Sequence, residues 1–391
     1  MKLRTFENVA LDGKTVLLRT DFNVPLQNGV VQDRTRLTES LPTIQYLLEK
    51  GTKVVIATHL GRPKGQVVED LRLNAVATAL SELLNKPVIK LDDCIGSEVQ
   101  ASIESAPLGS VLLLENLRFH PEEEANDPAF SAALAAGKDL YVSDAFGTVH
   151  RAHASTVGVT QLLPSYAGFL VQKEVEVLSG ILENPKKPVA LVVGGAKIDT
   201  KIGILEKFLN IADVFIIGGA FANTFLAAQG HDVGTSLFEK DKVAVAQDFL
   251  AKAASKTVLL PTDVVIAADV TPGLPTQEVS VDGIPSDQKI LDLGSKTRTS
   301  FAAALTGMQT VLWNGPMGLY EQDAFAAGTR DLALALAELP AVKVLGGGDT
   351  IDALTHFGVP TEKFTHISTG GGAMLEFLEG KMLPGVEVLL A

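Results

Sequence analysis

VALVVGGAK, residues Val189 to Lys197, runs five apolar residues directly into a glycine pair and a lysine. So short a run, without polar alternation, reads as a strand buried on both faces. The same unit recurs along the chain. Before it come Val16–Leu18, Val54–Ile56, Val88–Ile89, Val111–Leu114 and Leu140–Val142. After it come Val214–Ile217, Val258–Leu260, Val311–Trp313, Val342–Leu345 and His366–Ile367. Amphipathic segments such as Thr38–Lys50 and Arg72–Leu84 lie between several of these runs. Buried strands alternating with helices predict an α/β protein with mainly parallel sheets. Some eleven strands are many for one sheet, so two Rossmann-like domains are the simpler expectation.

The pattern breaks at NPKKP, Asn184 to Pro188, and the segment before it has helical spacing. The expected organisation is therefore a first domain over 1–172, a connecting helix and hinge over 173–184, and a second domain over 185–378. Residues Thr262–Leu293 depart from the alternation and read as hairpins added to the second domain.

Composition narrows the classes of function. Of 391 residues, 46% are hydrophobic and 20% charged, enough for sizeable cores and against wholesale disorder. A formal net charge of −13 argues against a nucleic-acid or anionic-membrane surface. A small anionic ligand is not excluded, because salt screens charges beyond about 10 Å. The single cysteine, Cys94, rules out an intramolecular disulfide and fits a reducing compartment. The start, MKLRTFENVALDGKTV, carries no apolar stretch of signal-peptide length, and no run approaches a membrane span. The expectation is a cytoplasmic protein.

Ligands of open α/β sheets bind beyond the carboxyl ends of the strands. In the first half these ends carry Arg19, Asp21 and Asn23, then His59 and Arg62, then Glu115, Asn116 and Arg118, then Asp144 with His150 and Arg151. Arg36 follows the first strand. Arginines recurring at strand ends suggest a small ligand with several negative groups, the alternative being surface ion pairs. The second half ends its strands in glycine turns: GGAK, GGAF (Gly218–Phe221), NGPMG (Asn314–Gly318), GGGDT (Gly346–Thr350) and TGGG (Thr369–Gly372). Two of these open helix-like stretches and so offer N–H groups to phosphates. Lys197 and Lys201 are four apart and would share one helix face if a helix begins there. Asp349 is the best Mg²⁺ candidate, with helix N-cap as its competing role.

Absences also narrow the reading. There is no GxxxxGK[ST], no GxGxxG, and no HRD or DFG pair. His150 and His153 match no zinc spacing, and Cys94 lacks a nucleophile's setting. Phosphoryl transfer needs no covalent nucleophile, only positioning and charge neutralisation. A closing anion-binding protein would not explain the paired lysines and glycine turns. A nicotinamide-dependent dehydrogenase is weakened by the missing fingerprint.

RTDFNVP (Arg19–Pro25), HLGRP (His59–Pro63), ENLRF (Glu115–Phe119), DAFGTVHRAHAS (Asp144–Ser155), GGAK, WNGPMG with Glu321, GGGDT and TGGG occur in this order. The ordered set resembles the phosphoglycerate kinase family from end to end. The resemblance implies reversible transfer of a phosphoryl group from 1,3-bisphosphoglycerate to ADP by a monomer with Mg²⁺ as cofactor. It implies an acid site of Asp21, Asn23, Arg36, His59, Arg62, Arg118 and Arg151, with Arg36 catalytic. It implies nucleotide ligands Lys197, Lys201, Asn314, Glu321 and Gly347, Gly348, Asp349 and Thr350. Gly195, Gly218, Gly219, Leu291, Pro316 and Leu319 would line the adenosine pocket, Glu321 would take the ribose and Asp349 the metal. Gly370, Gly371 and Gly372 would aim a helix N-terminus at the phosphoryl group. The tail 379–391 would return to the first domain, and the two domains would close to bring the substrates together. Two departures are visible: Thr20 stands where the family usually has valine, and in Ile198-Asp199-Thr200 the acidic residue is shifted by one position.

Overall fold

The computed structural model describes residues 1–198 and 201–391. The carboxylate of Asp199, where the sequence departs from the family pattern, lies outside the described residues. The chain divides into two compact units, Met1–Val177 with Met382–Ala391, and Leu178–Lys381.

The first unit holds strands Thr15–Thr20 (β1), Leu26–Gln27 (β2), Val30–Val31 (β3), Lys53–Ala57 (β4), Val88–Lys90 (β5), Val111–Leu113 (β6), Leu140–Asp144 (β7) and Ser165–Ala167 (β8). Apart from the small β2–β3 hairpin, they form one six-stranded sheet in the order β5-β6-β4-β1-β7-β8. Every pairing in it is parallel. The apolar runs explain why. Val16, Leu18, Val54, Ile56 and Val142 pack on one face against Leu37, Ile44 and Leu47 of the helix Thr35–Glu49. Leu17, Val55, Leu112 and Tyr141 pack on the other, against Val99, Ile103 and Phe130. Both faces are covered, so no polar alternation is required.

The second unit repeats the architecture with Val189–Val193 (β9), Val214–Ile217 (β10), Thr257–Leu259 (β11), Asp263–Ala267 (β12), Gln277–Ser280 (β13), Lys289–Leu293 (β14), Thr310–Asn314 (β15), Val342–Gly346 (β16) and His366–Ser368 (β17). Its six-stranded parallel sheet runs β11-β10-β9-β15-β16-β17. The chain winds outward from β9 in one direction and then from β15 in the other. The strand order therefore reverses between β9 and β15, which is where such sheets bind ligands. The segment 262–293 forms a separate antiparallel sheet, β13-β12-β14. All eleven apolar runs are strands; β8, a three-residue strand with a polar start, is the sheet member without such a run.

The division between units falls inside the helix Phe169–Glu183, ahead of the proline-rich break at Asn184–Pro188. The chain rejoins the first unit at Met382, three residues beyond Glu379. Glu379 itself lies against Gly203 in the second unit. Within the first unit, Gly385 N–H donates to Val149 O at 2.8 Å and Arg4 N–H to Leu389 O at 2.8 Å.

Candidate active site

In the first unit, β1 and β4 end side by side, and Thr58 ties the ends together. Its hydroxyl donates to Thr20 O at 2.9 Å and accepts from Phe22 N–H at 2.9 Å. This places Asp21 beside His59, whose Nδ1 is 3.9 Å from Asp21 Oδ1. Arg36, near the start of the helix Thr35–Glu49, pairs with the other carboxylate oxygen. Asn23 Oδ1 accepts from Gly61 N–H at 2.8 Å. Asn116 folds the turn after β6 by accepting from Arg118 N–H at 3.1 Å and Leu60 N–H at 3.2 Å. Arg118 then reaches Gly61 O with Nη1 at 2.9 Å and Glu124 with Nε at 3.2 Å. Arg62 and Arg151 are exposed, and Arg151 Nε contacts His150 Nε2 at 3.2 Å.

The field in this cluster is strongly positive although the chain is acidic. Burial and then the charges of Arg19, Arg118 and Arg151 push His153 down to about 4. His59 is held well below its usual range by burial and by Arg19, Arg118 and Arg36, against the pull of Asp21. The Arg118 guanidinium is itself disfavoured, by burial and by Arg19 and Arg151, with Glu124 opposing. Burial alone would raise the Asp21 carboxyl; Arg36 and Arg19 outweigh it and hold the group ionised, below its ordinary value. A buried guanidinium disfavoured by neighbouring guanidinium groups is relieved by an anion.

In the second unit, the turns after β9 and β15 interlock. Gly194 N–H donates to Asn314 O at 2.9 Å and Gly195 N–H to Pro316 O at 2.7 Å. Gly315 N–H donates to Thr350 Oγ1 at 2.8 Å, and Asn314 Nδ2 to Gly346 O at 2.7 Å. At Gly219, φ is +63° and an added Cβ would meet Pro316 O at 2.7 Å, so only glycine fits. These turns floor a cavity of about 640 Å³. Gly195, Gly219, Leu291, Pro316, Leu319, Glu321 and Asp349 all line it. Gly218 precedes the helix Gly219–Ala228 as its N-cap, against Met317, another lining residue.

The two lysines behave differently from the expected shared helix face. The helix begins at Ile202, so Lys201 is its N-cap and Lys197 lies in the preceding loop, exposed. Lys201 is buried, with Nζ donating to Gly194 O at 2.5 Å and to Asn314 O at 3.4 Å. Burial lowers its pKa to about 8, with the Asp349 carboxylate opposing. The competing role for Asp349 is also settled. Gly347 is the N-cap of the helix Gly348–His356, and Asp349 stands exposed in its first turn with Thr350 buried behind. Gly371 is the N-cap of the helix Gly372–Leu378.

Several participants carried no sequence signal. Asn223, Phe238 and Lys240 line the cavity from the helix Gly219–Ala228 and the loop beyond it, in a segment without a motif. Arg19, visible at a strand end, proves fully buried: Nε donates to Ser155 Oγ at 2.7 Å and Nη2 is 3.4 Å from His59 Nδ1. Ser155 in turn donates to the buried Glu123 at 2.6 Å. The Glu122–Glu124 run close to ENLRF was the available hint of that counter-charge.

Two parallel sheets, one ending in a cationic cluster and one in a glycine-floored cavity with a buried lysine and an exposed carboxylate, define a two-domain α/β enzyme of the phosphotransfer class. The family model for phosphoglycerate kinase matches residues 6–381. The chain belongs to the phosphoglycerate kinase family. It is 51% identical over 387 residues to the phosphoglycerate kinase of Moorella thermoacetica, covering 98% of each chain. With that of Pelotomaculum thermopropionicum it shares 51% over 392 residues, covering 100% of both. Among solved structures, the Coxiella burnetii phosphoglycerate kinase superimposes with a TM-score of 0.88 at 41% identity, covering 99% of this chain and 98% of the other.

Proposed function

We propose that the two clusters are the two substrate sites of the family's reaction: transfer of a phosphoryl group from 1,3-bisphosphoglycerate to ADP, giving 3-phosphoglycerate and ATP. The chain is a glycolytic kinase, a phosphotransferase with a carboxyl group as acceptor. The carrying observation is the cluster of Arg19, Arg36 and Arg118 around Asp21 and His59 in a chain of net charge −13, where burial first and then the charges of Arg19 and Arg118 lower both His59 and His153. That field takes the anionic acid, with Asp21, Asn23, Arg36, His59, Arg62, Arg118 and Arg151 as its ligands. Arg36 steadies the phosphoryl group in flight.

The cavity takes the nucleotide. Gly195, Gly218, Gly219, Leu291, Pro316 and Leu319 enclose adenosine, and Glu321 holds the ribose. Lys197, Lys201, Asn314 and Gly347–Thr350 face the phosphates. Gly371 and Gly372 turn backbone N–H groups toward the transferring group. Asp349 fits Mg²⁺, since a single exposed carboxylate beside phosphate oxygens is the usual protein share of such a site. Bound there, Mg²⁺ would neutralise phosphate charge. Acid ligands belong to one unit and nucleotide ligands to the other, so turnover includes a step that brings the substrates together and excludes water from the acyl phosphate. Direct in-line transfer between the two substrates is the step proposed, since phosphoryl transfer needs positioning and charge neutralisation rather than a covalent nucleophile. No helix among the described residues is long and apolar enough to cross a membrane. A cytoplasmic monomer is the accompanying proposal.

Calorimetry tests the assignment of the two sites. Arg118→Ala is expected to lose 3-phosphoglycerate binding and keep ADP binding, and Asp349→Ala to weaken Mg-ADP and keep the acid. Loss of both ligands in either folded variant contradicts the division.

A further inference from the structure

Asp93, Cys94 and His120 converge on the side of the first unit where β5 and β6 end. One ligand atom from each lies within 4.8 Å of the other two. It is the only group of three such side chains among the described residues. Two neighbouring connections supply it. Asp93 and Cys94 follow β5, and Asp93 O accepts from Glu115 N–H at 3.2 Å, which fixes this loop beside β6. His120 follows the turn Leu117–Phe119, and its ring packs on Phe130 with centroids 5.3 Å apart. Its Nε2 is directed at Asp93 Oδ1, 2.7 Å away. Cys94 belongs to the apolar cluster containing Leu91, Val99 and Leu117, so its thiol forms the floor. Asp93 is exposed and His120 partly so, and they form a rim open to solvent.

We propose that Asp93, Cys94 and His120 form a binding site for a thiophilic divalent cation, with Zn²⁺ the best match. With a cation bound, the donor set would be one thiolate, one carboxylate and one imidazole, the cation displacing the proton that burial and the Asp93 and Glu123 charges favour on the Cys94 thiol, and the two negative charges would balance a dication. Mixed sulfur, nitrogen and oxygen donors suit Zn²⁺ and not Mg²⁺ or Ca²⁺, which take oxygen alone. Zinc–ligand bonds of about 2.0–2.3 Å in a tetrahedron separate the ligand atoms by roughly 3.3–3.7 Å. The Asp93–His120 contact then opens by under about 1 Å, within the reach of exposed side chains. The fourth position faces solvent and would hold water. His120 is two residues beyond Arg118, so the cation would also brace the turn that carries this acid-site arginine.

A single cysteine in the chain makes the test unambiguous. Co²⁺ is added to the full-length protein and its near-ultraviolet thiolate-to-cobalt charge-transfer band is followed. The band is expected in the wild type, to vanish in Cys94→Ser, and to need at least about tenfold more Co²⁺ in Asp93→Asn or His120→Ala. Zn²⁺ should bleach it and Mg²⁺ should not. Circular dichroism confirms that each variant is folded. No band in the wild type, an unchanged titration in both rim variants, or bleaching by Mg²⁺ would each overturn the assignment.

Discussion

The ammonium of Lys201 is buried 2.5 Å from the carbonyl oxygen of Gly194, at the point where β9 gives way to the glycine turn. A backbone carbonyl is a weak partner for a full charge, and burial lowers this lysine's pKa to about 8. A phosphate within reach would exchange that contact for a charged one.

The pH dependence of nucleotide binding follows. The free enzyme holds Lys201 charged below pH 8 and increasingly neutral above it. If the charged form binds phosphate, ADP affinity falls above pH 8 by up to about tenfold per pH unit. Calorimetric titration across this range should show the decline in the wild type. Lys201→Met should bind weakly with a flat profile. A flat wild-type profile would remove Lys201 from the phosphate site.

Arg36→Ala is expected to lower kcat by about 100-fold, in line with the loss of one preorganised charge of roughly 3 kcal/mol. It also strips the buried Asp21 of its ion-pair partner, so stability at neutral pH should fall as well. Arg36→Lys separates the two effects. It keeps a cation beside Asp21 and should recover stability more than kcat, because lysine lacks the planar fork. Near-normal kcat in Arg36→Ala would refute the catalytic assignment.

Gly219→Ala places a Cβ at a φ of +63° and 2.7 Å from Pro316 O. Backbone strain of this kind costs about 2 kcal/mol, and the clash pushes the turns after β9 and β15 apart. The expected outcome is a lower Tm together with weaker ADP binding and unchanged 3-phosphoglycerate binding. Equal loss of both ligands would show that the turn does not act on the cavity alone.

Much of this was legible in the chain because its causes are local. Runs such as VALVV are buried on both faces and need no distant partner to be read as strands. Glycine turns such as GGAK mark backbone conformations that other residues resist. The hidden parts depend on tertiary placement. Nothing in the sequence says that the helix after GGAK begins only at Ile202, which separates Lys197 from Lys201. Nor does it say that Phe238 and Asn223 reach the cavity, or that Arg19 turns inward to Ser155 and sits beside His59. The Asp93–His120 contact joins residues 27 apart in sequence, and no spacing rule connects them.

Asp144 supplies a stability prediction. Burial raises its pKa to about 7, against hydrogen bonds that include Leu170 N–H at 2.9 Å. The folded state therefore holds this proton more tightly than the unfolded chain, whose aspartates titrate near 3.9. The associated stabilisation is complete below about pH 4 and is lost as pH rises through 7. Asp144→Asn is permanently neutral at this position. Its Tm should decline less than that of the wild type between these pH values. Parallel Tm curves would contradict the buried-acid reading.

Phosphoryl transfer between the two sites is tested most directly by ATP formation from ADP and 1,3-bisphosphoglycerate by the purified protein, followed with and without Mg²⁺. Rapid, Mg²⁺-dependent ATP synthesis is expected, abolished by chelation and reduced about 100-fold in Arg36→Ala. Absence of turnover by a folded protein that still binds both substrates would contradict it.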